Sequence, residues 1–259
     1  MTNHEITPID EIFDDEAAEL YDMMYFNGDS FTTQTNELIV KHLEQAGAKN
    51  ILDMSCGTGS QCIELSLAGY NVEATDLSNS MLKRAKEKAK LHNVDIKFKQ
   101  ADMKSVTTDE CQGIISIFNS IGYLNKEDFA TTLRNASNNL EPNGVFIFDT
   151  FHDKALAFIP AVEFVDCDIM IDKKHVKRFT KIFFNKTEGN CIITRRIEIT
   201  EESGDLREIN ECVQFSVYEE QEMIDLVKEN GFSSVEIVRQ SMLELRSIKN
   251  SMNLVIAKK

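Results

Sequence analysis

Residues 50–59 read Asn-Ile-Leu-Asp-Met-Ser-Cys-Gly-Thr-Gly, and 17 residues beyond Gly59 a second short run, Val72–Thr75, ends at Asp76. An apolar strand that breaks into a glycine turn, opens a helix and returns as a second strand is the start of a parallel βαβ unit. Glycine at 57 and 59 lets backbone N–H groups approach a ligand closely at the mouth of that unit. Few other folds accommodate such a start.

The alternation continues along the chain. A helix is expected from about Ser60 to Ala68, ended by Gly69, and another capped by Ser78 or Asn79 with Leu82, Ala85 and Ala89 on one stripe. Ile96–Lys99 reads as a third strand, ending near Ala101-Asp102-Met103, and Gly113–Phe118 as a fourth, apolar enough to be central. Phe129, Leu133, Ala136 and Leu140 mark a helix that stops before the turn Pro142-Asn143-Gly144, and Val145–Phe148 gives a fifth strand. Beyond Asp149 the period changes. Val176–Phe184, Cys191–Thr200 and Glu208–Val217 read as an antiparallel meander, in which Ile193, Ile197 and Ile199 alternate with polar residues apart from Arg195. A helix over Glu219–Asn230, with Gly231 after it, and strands Ser234–Val238 and Leu254–Ala257 then complete the pattern. The expected fold is α/β: a doubly wound, seven-stranded, mostly parallel sheet with an antiparallel β insertion after strand five. Residues 1–45 are expected to form an N-terminal helical cap, 46–159 and 218–259 the core, and 160–217 the insertion, serving as substrate cap or dimer contact.

The 259 residues suffice for one large domain with an insertion, and no apolar run approaches the ~20 residues that span a bilayer. Residues 1–40 hold ten acidic residues and no Lys or Arg, the reverse of a signal or transit peptide, so a cytoplasmic location is expected. Six cysteines without a CxxC pair or His at ligand spacing read as reduced, mostly buried thiols, and no metal is expected. A net charge of −15 argues against nucleic-acid and anionic-membrane partners. Two basic clusters, Lys83-Arg84-Lys86-Lys88-Lys90 and Lys173-Lys174-His175-Lys177-Arg178, read as solvated faces.

Three strand ends together point to an adenosine ligand. Asp76 is placed to accept both hydroxyls of a ribose, and Asp102 an adenine amino group, with Met103 and Phe118 against the ring faces. A dinucleotide loop needs a third glycine three residues after Gly59, where this chain has Cys62. A nucleoside without phosphates fits better, which favours S-adenosylmethionine over NAD.

The ordered set Asp53-Met-Ser-Cys-Gly-Thr-Gly59, Asp76-Leu-Ser, Ala101-Asp-Met103 and Leu140-Glu-Pro-Asn-Gly144 resembles the class I S-adenosylmethionine-dependent methyltransferases, over about residues 12–151 and the last 40. Within that class, glycine N-methyltransferases share the Cys-Gly-Thr-Gly loop, Met81-Leu82 and Asn119-Ser120. Bacterial N-methyltransferases of amino-sugar nucleotides share Phe118-Asn-Ser-Ile-Gly-Tyr-Leu124, the insertion and an N-terminal Tyr-Asp segment like Tyr21-Asp22. The resemblance implies a Rossmann-like methyltransferase fold with S-adenosylmethionine as cofactor. It implies that Gly57 and Gly59 face the methionine moiety, Asp76 holds the ribose, and Asp102 with Met103 holds the adenine. Tyr21 and Tyr25 would belong to a helix closing over the cofactor, and Asp53 and Leu77 complete the binding set. The chain departs from the pattern at Ser55, where the usual loop has its first glycine. It also lacks the Arg that glycine-methylating enzymes carry after strand five, reading Asp149-Thr-Phe-His-Asp153 there, and has no Lys or Arg before residue 41. Glycine is therefore a poor acceptor on this reading, and the missing Asn-Pro-Pro-Tyr-type tetrapeptide argues against nucleic-acid or protein acceptors.

The expected reaction is methyl transfer to a small-molecule acceptor at an amine nitrogen. His152, just past strand five, is the candidate base, and Asn119 and Tyr123 are candidates for orienting the acceptor, with Tyr218 as a further lining residue. A macromolecule methyltransferase acting on RNA or protein, and a non-catalytic binding module that dimerises through the insertion, stand as alternatives, with an NAD oxidoreductase more distant.

Overall fold

The computed structural model describes residues 6–25, 30–109, 111–171, 173–239 and 252–259. Among them, seven strands form one sheet: β1 (Asn50–Asp53), β2 (Asn71–Asp76), β3 (Lys97–Gln100), β4 (Cys111–Ser116), β5 (Leu140–Phe151), β10 (Ser234–Arg239) and β11 (Met252–Lys258). Their order is β10-β11-β5-β4-β1-β2-β3, with β1 to β5 parallel and β11 antiparallel to both its neighbours. The chain thus has the doubly wound, mostly parallel sheet that its alternation predicts.

Period two along the central strands divides the core in two. Leu52, Ile114, Phe146 and Phe148 face one side, where α6 (Lys126–Asn139) brings Phe129 and Leu133, and α8 (Glu220–Glu229) brings Met223 and Val227. Ile51, Ile115, Val145 and Ile147 face the other, against α3 (Ser30–Gln45), α4 (Ser60–Leu67) and α5 (Asn79–Leu91). Each of these fully buried side chains contributes about 1.5–3 kcal/mol through removal from water. Of the two caps expected for α5, Ser78 serves, its Oγ accepting the Met81 N–H at 3.1 Å.

Two strands differ from expectation. β5 starts at Leu140, so the Pro142-Asn143-Gly144 segment lies within it, with a register shift against β4 between Cys111 and Gly113. The insertion has a fourth strand, β6 (Phe164–Ile171), paired to β7 (Lys174–Asn185), which continues through β8 (Asn190–Thr200) and β9 (Leu206–Ser216). A bulge between Val165 and Cys167 interrupts the alternation of β6, and with it the signal for a strand.

The N-terminal segment joins core to insertion. α1 (Ile9–Ile12) and α2 (Asp15–Tyr25) lie over the sheet's ligand edge, with Leu20 packed on Val176, Ile197 and Ile199 of the meander. Among the described residues no helix is long and apolar enough to cross a membrane. All six cysteines are buried and unpaired with one another.

Candidate functional site

Two cavities lie at the carboxyl ends of the parallel strands. The first, of about 460 Å³, is bounded by the β1–α4 loop, the ends of β2 and β3, and the cap. Gly57, Asp76, Leu77, Asp102, Met103, Phe118 and Tyr21 all border it. The Asp76 carboxylate accepts the Gly57 N–H at 2.8 Å on one oxygen and the Ser78 N–H at 2.9 Å on the other, so it braces the loop from the facing strand. Burial raises its pKa. Asp102 accepts the Lys104 N–H at 2.8 Å, which turns the chain after β3.

Asp53 and Gly59 border neither cavity. Asp53 is 2% exposed, its Oδ1 accepts the Ser55 N–H at 3.2 Å, and burial pushes its pKa up to about 8. Gly59 stands at φ +91°, and a Cβ there would meet Ala85 Cβ at 3.0 Å. That glycine serves the crossing of α4 over α5 and a left-handed entry to α4, whereas Gly57 serves the cavity. Gly59→Ala is accordingly expected to destabilise the fold by about 1–3 kcal/mol. Thermal denaturation should show a midpoint lowered by roughly 3–10 °C. Tyr25 closes α2, and its side chain lies outside the described residues.

The second cavity, of about 570 Å³, lies between the cap, the ends of β4 and β5, and the inner face of the meander. Phe13, Asp14, Tyr21, Phe118, Ser120 and Tyr123 border both cavities, so the two meet at one wall. The wall is aromatic and continuous. Phe13 meets Tyr21 at 6.5 Å and Tyr123 at 5.9 Å edge-on, and Tyr123 meets Phe215 at 4.6 Å.

Beneath this wall the chain leaves β4 through two consecutive left-handed residues, Phe118 at φ 64° and Asn119 at φ 55°. Such backbone costs on the order of 1–3 kcal/mol per residue and needs an external hold. Asp149 provides it. Its carboxylate accepts the Phe118 N–H at 3.1 Å and the Asn119 N–H at 2.6 Å, it borders the second cavity, and burial pushes its pKa up to about 7.

The residues expected to act on an acceptor separate here. Asn119 and Tyr123 border the second cavity, but His152 borders neither. His152 caps α7 (Asp153–Leu156), its Nδ1 accepting the Lys154 N–H at 3.1 Å. Tyr218 packs against Phe129 away from both cavities, and burial pushes its phenol up to about 12. Asp149, only three residues before His152, is the titratable group that the strand end presents. Arg195 and Arg178 also border the cavity, and the break that Arg195 makes in the alternation of β8 is the sequence trace of its inward side chain.

Both basic clusters are absorbed within the molecule. Asp22 of the cap accepts from Thr58 Oγ1 of the glycine loop, from Lys88 Nζ at 2.7 Å and from Arg84 Nε at 3.2 Å. Glu16 binds Arg207 of β9 through both guanidinium nitrogens. In the insertion, Lys173 pairs with Glu202, Lys174 with Glu201, and His175 and Lys177 with Asp168. The acidic N-terminus thus finds its countercharge on α5, and α2 is fastened to both cavities' outer walls. Asp22→Ala is expected to weaken ligand binding in the first cavity by roughly 10-fold, the scale of a partly buried charge network. Titration at rising ionic strength should weaken the wild type more than the variant.

Residues 51–144 match the family model described as methyltransferase domain. This is an S-adenosylmethionine-dependent methyltransferase domain. The domain is similar to YqeM of Bacillus subtilis (strain 168), 34% identical over 122 residues, which are 46% of this chain and 49% of that one. It is also similar to a glycine/sarcosine N-methyltransferase of Aphanothece halophytica, 31% identical over 122 residues and 46% of each chain. The chain spans about half the length of the curated relatives it matches. Its whole fold is shared with CalS10, an amino pentose methyltransferase from Micromonospora echinaspora solved with S-adenosylmethionine bound. That likeness has a TM-score of 0.73 at 17% identity and covers 99% of both chains.

Proposed function

We propose that the protein is a methyltransferase that takes S-adenosylmethionine in the first cavity and a small amine in the second, methylating nitrogen. The observation that carries this reading is the shared aromatic wall, with Asp149 beyond it in the acceptor cavity.

The first cavity suits a cationic nucleoside. Asp76 borders it and Asp53 lies beneath, both buried, and the described residues give neither an ion-pair partner. Leu77, Met103 and Phe118 supply apolar contact for a base, and Lys104 is the single basic residue among those bordering it. When bound, the cofactor supplies a methyl group on a sulfonium sulfur. The protein's share is alignment, exclusion of water and handling of one proton. Phe13, Tyr21 and Tyr123 keep water from the junction, Asn119 orients the acceptor, and the Asp149 carboxylate receives the proton that the amine must shed to expose its lone pair. In this scheme the segment 1–45 acts as the cap, 46–159 and 218–259 hold the cofactor, and 160–217 shapes the acceptor site. The N-methylating relatives and structural neighbours support nitrogen as the acceptor atom.

Purified protein given methyl-labelled cofactor and a small-molecule extract should place label in an amine, identified by mass spectrometry. Label confined to RNA or protein would overturn the small-molecule reading. A homodimer through the insertion is a further reading, favoured by Val165 and Met170 lying exposed on edge strand β6. Sedimentation showing a monomer at high concentration would exclude it.

A further inference from the structure

The acceptor cavity is unevenly charged. Six carboxylates border it, those of Glu11, Asp14, Glu16, Asp149, Asp166 and Glu211, against the guanidinium groups of Arg178 and Arg195. Three of the carboxylates are neutralised within the protein. Asp166 accepts from Arg178 Nε and Nη2, both at 2.9 Å, Glu211 lies 3.4 Å from Arg195, and Glu16 pairs with Arg207. Glu11, Asp14 and Asp149 have no cation partner among the described residues. Asp14 gives one oxygen to the Ala17 N–H at 2.8 Å, and Asp149 gives its two to the backbone of 118 and 119. Both arginines that border the cavity are held by carboxylates, so neither offers an open fork to a phosphate or carboxylate.

A second observation is independent of the charges. Asn119 borders the same cavity at 4% exposure, and neither its Nδ2 nor its Oδ1 has a hydrogen-bond partner. A buried carboxamide with both ends unsatisfied is rare in folded proteins and marks a place where a ligand completes the bonding.

Resting on the methyltransferase reading, we infer that the acceptor is a small amine with a second positive charge remote from the reacting nitrogen, and with no phosphate or carboxylate. Glu11 and Asp14, on the cap side, receive the remote charge. Asp149, on the sheet side, receives the proton from the nitrogen to be methylated, and the Asn119 carboxamide bonds the stretch between them. An anion brought into this cavity meets three like charges and no open cation.

The test uses three probes of matched length: 1,4-diaminobutane, butylamine and 4-aminobutanoate. Each is titrated calorimetrically against the full chain saturated with S-adenosylhomocysteine, and each competes against labelled methyl transfer into the extract. Binding should follow the order diamine, monoamine, amino acid. First and last should differ by on the order of 100-fold, the scale separating a charge-assisted contact from a like-charge encounter. Glu11→Gln should compress that ratio by about tenfold while leaving cofactor affinity unchanged, since Glu11 does not border the cofactor cavity. Equal or tighter binding of 4-aminobutanoate, no binding of the diamine, or an unchanged ratio in the variant would overturn the inference. Failure of S-adenosylmethionine to bind at all would instead remove the methyltransferase reading beneath it.

Discussion

Replacing Asp149 with asparagine is expected to lower kcat by about 10² to 10⁴-fold, the usual contribution of a positioned general base. The same change should remove the acid limb from the pH profile. The ionised carboxylate is the active form and burial sets its pKa at about 7, so the wild-type rate should rise with pH up to that point and level above it. The stability contribution runs the opposite way. The native carboxyl holds its proton more tightly than the unfolded one, so ionising it erodes stability as pH climbs from the model value of 3.8 towards about 7. Rate and denaturation profiles across pH 5 to 9 separate the two roles. A variant slowed equally at every pH would show that Asp149 acts only by holding the left-handed pair 118–119.

Asp76→Ala should abolish useful cofactor binding while leaving the sheet intact. The carboxylate already braces the loop through the Gly57 and Ser78 N–H groups, and ribose hydroxyls would add charge-assisted bonds worth about 1.5–3 kcal/mol each. Two such bonds correspond to an affinity loss on the order of 10²-fold or more. Calorimetry should detect no binding at micromolar protein, and far-UV circular dichroism should be unchanged. Retained affinity would mean that the ribose lies elsewhere.

The cofactor side was readable in sequence because its signals are local. Strand period, the glycine turn, Asp76 and the Ser78 cap each lie within a few residues of the structure they specify, and the described sheet follows from them. The acceptor side was not, because its wall is assembled from distant segments. Glu11 and Asp14 come from the cap, Asp149 from the end of β5, and Arg178 and Arg195 from the insertion. No short motif spans such a set. Near the strand end, the difference between His152 and Asp149 is three residues. The histidine is spent capping α7, while the aspartate remains on the strand and borders the cavity. Gly59 shows the converse: it was legible as a glycine that matters, but its close neighbour is Ala85, not a ligand. The basic clusters read correctly as unavailable to nucleic acid, though they face acidic partners as well as water.

Asp53, Asp76 and Asp149 all have their pKa raised by burial, two of them to about 8 and about 7. Near neutral pH this edge of the sheet therefore holds protons that exposed carboxylates would have lost. A positive charge arriving beside them favours the ionised forms, so these side chains release protons as a sulfonium is captured. Once the methyl has left and the sulfur is neutral, the same side chains draw protons back and their attraction for the spent nucleoside falls. Turnover would thus run as an exchange of one cation for another, with the solvent's protons helping to clear the site.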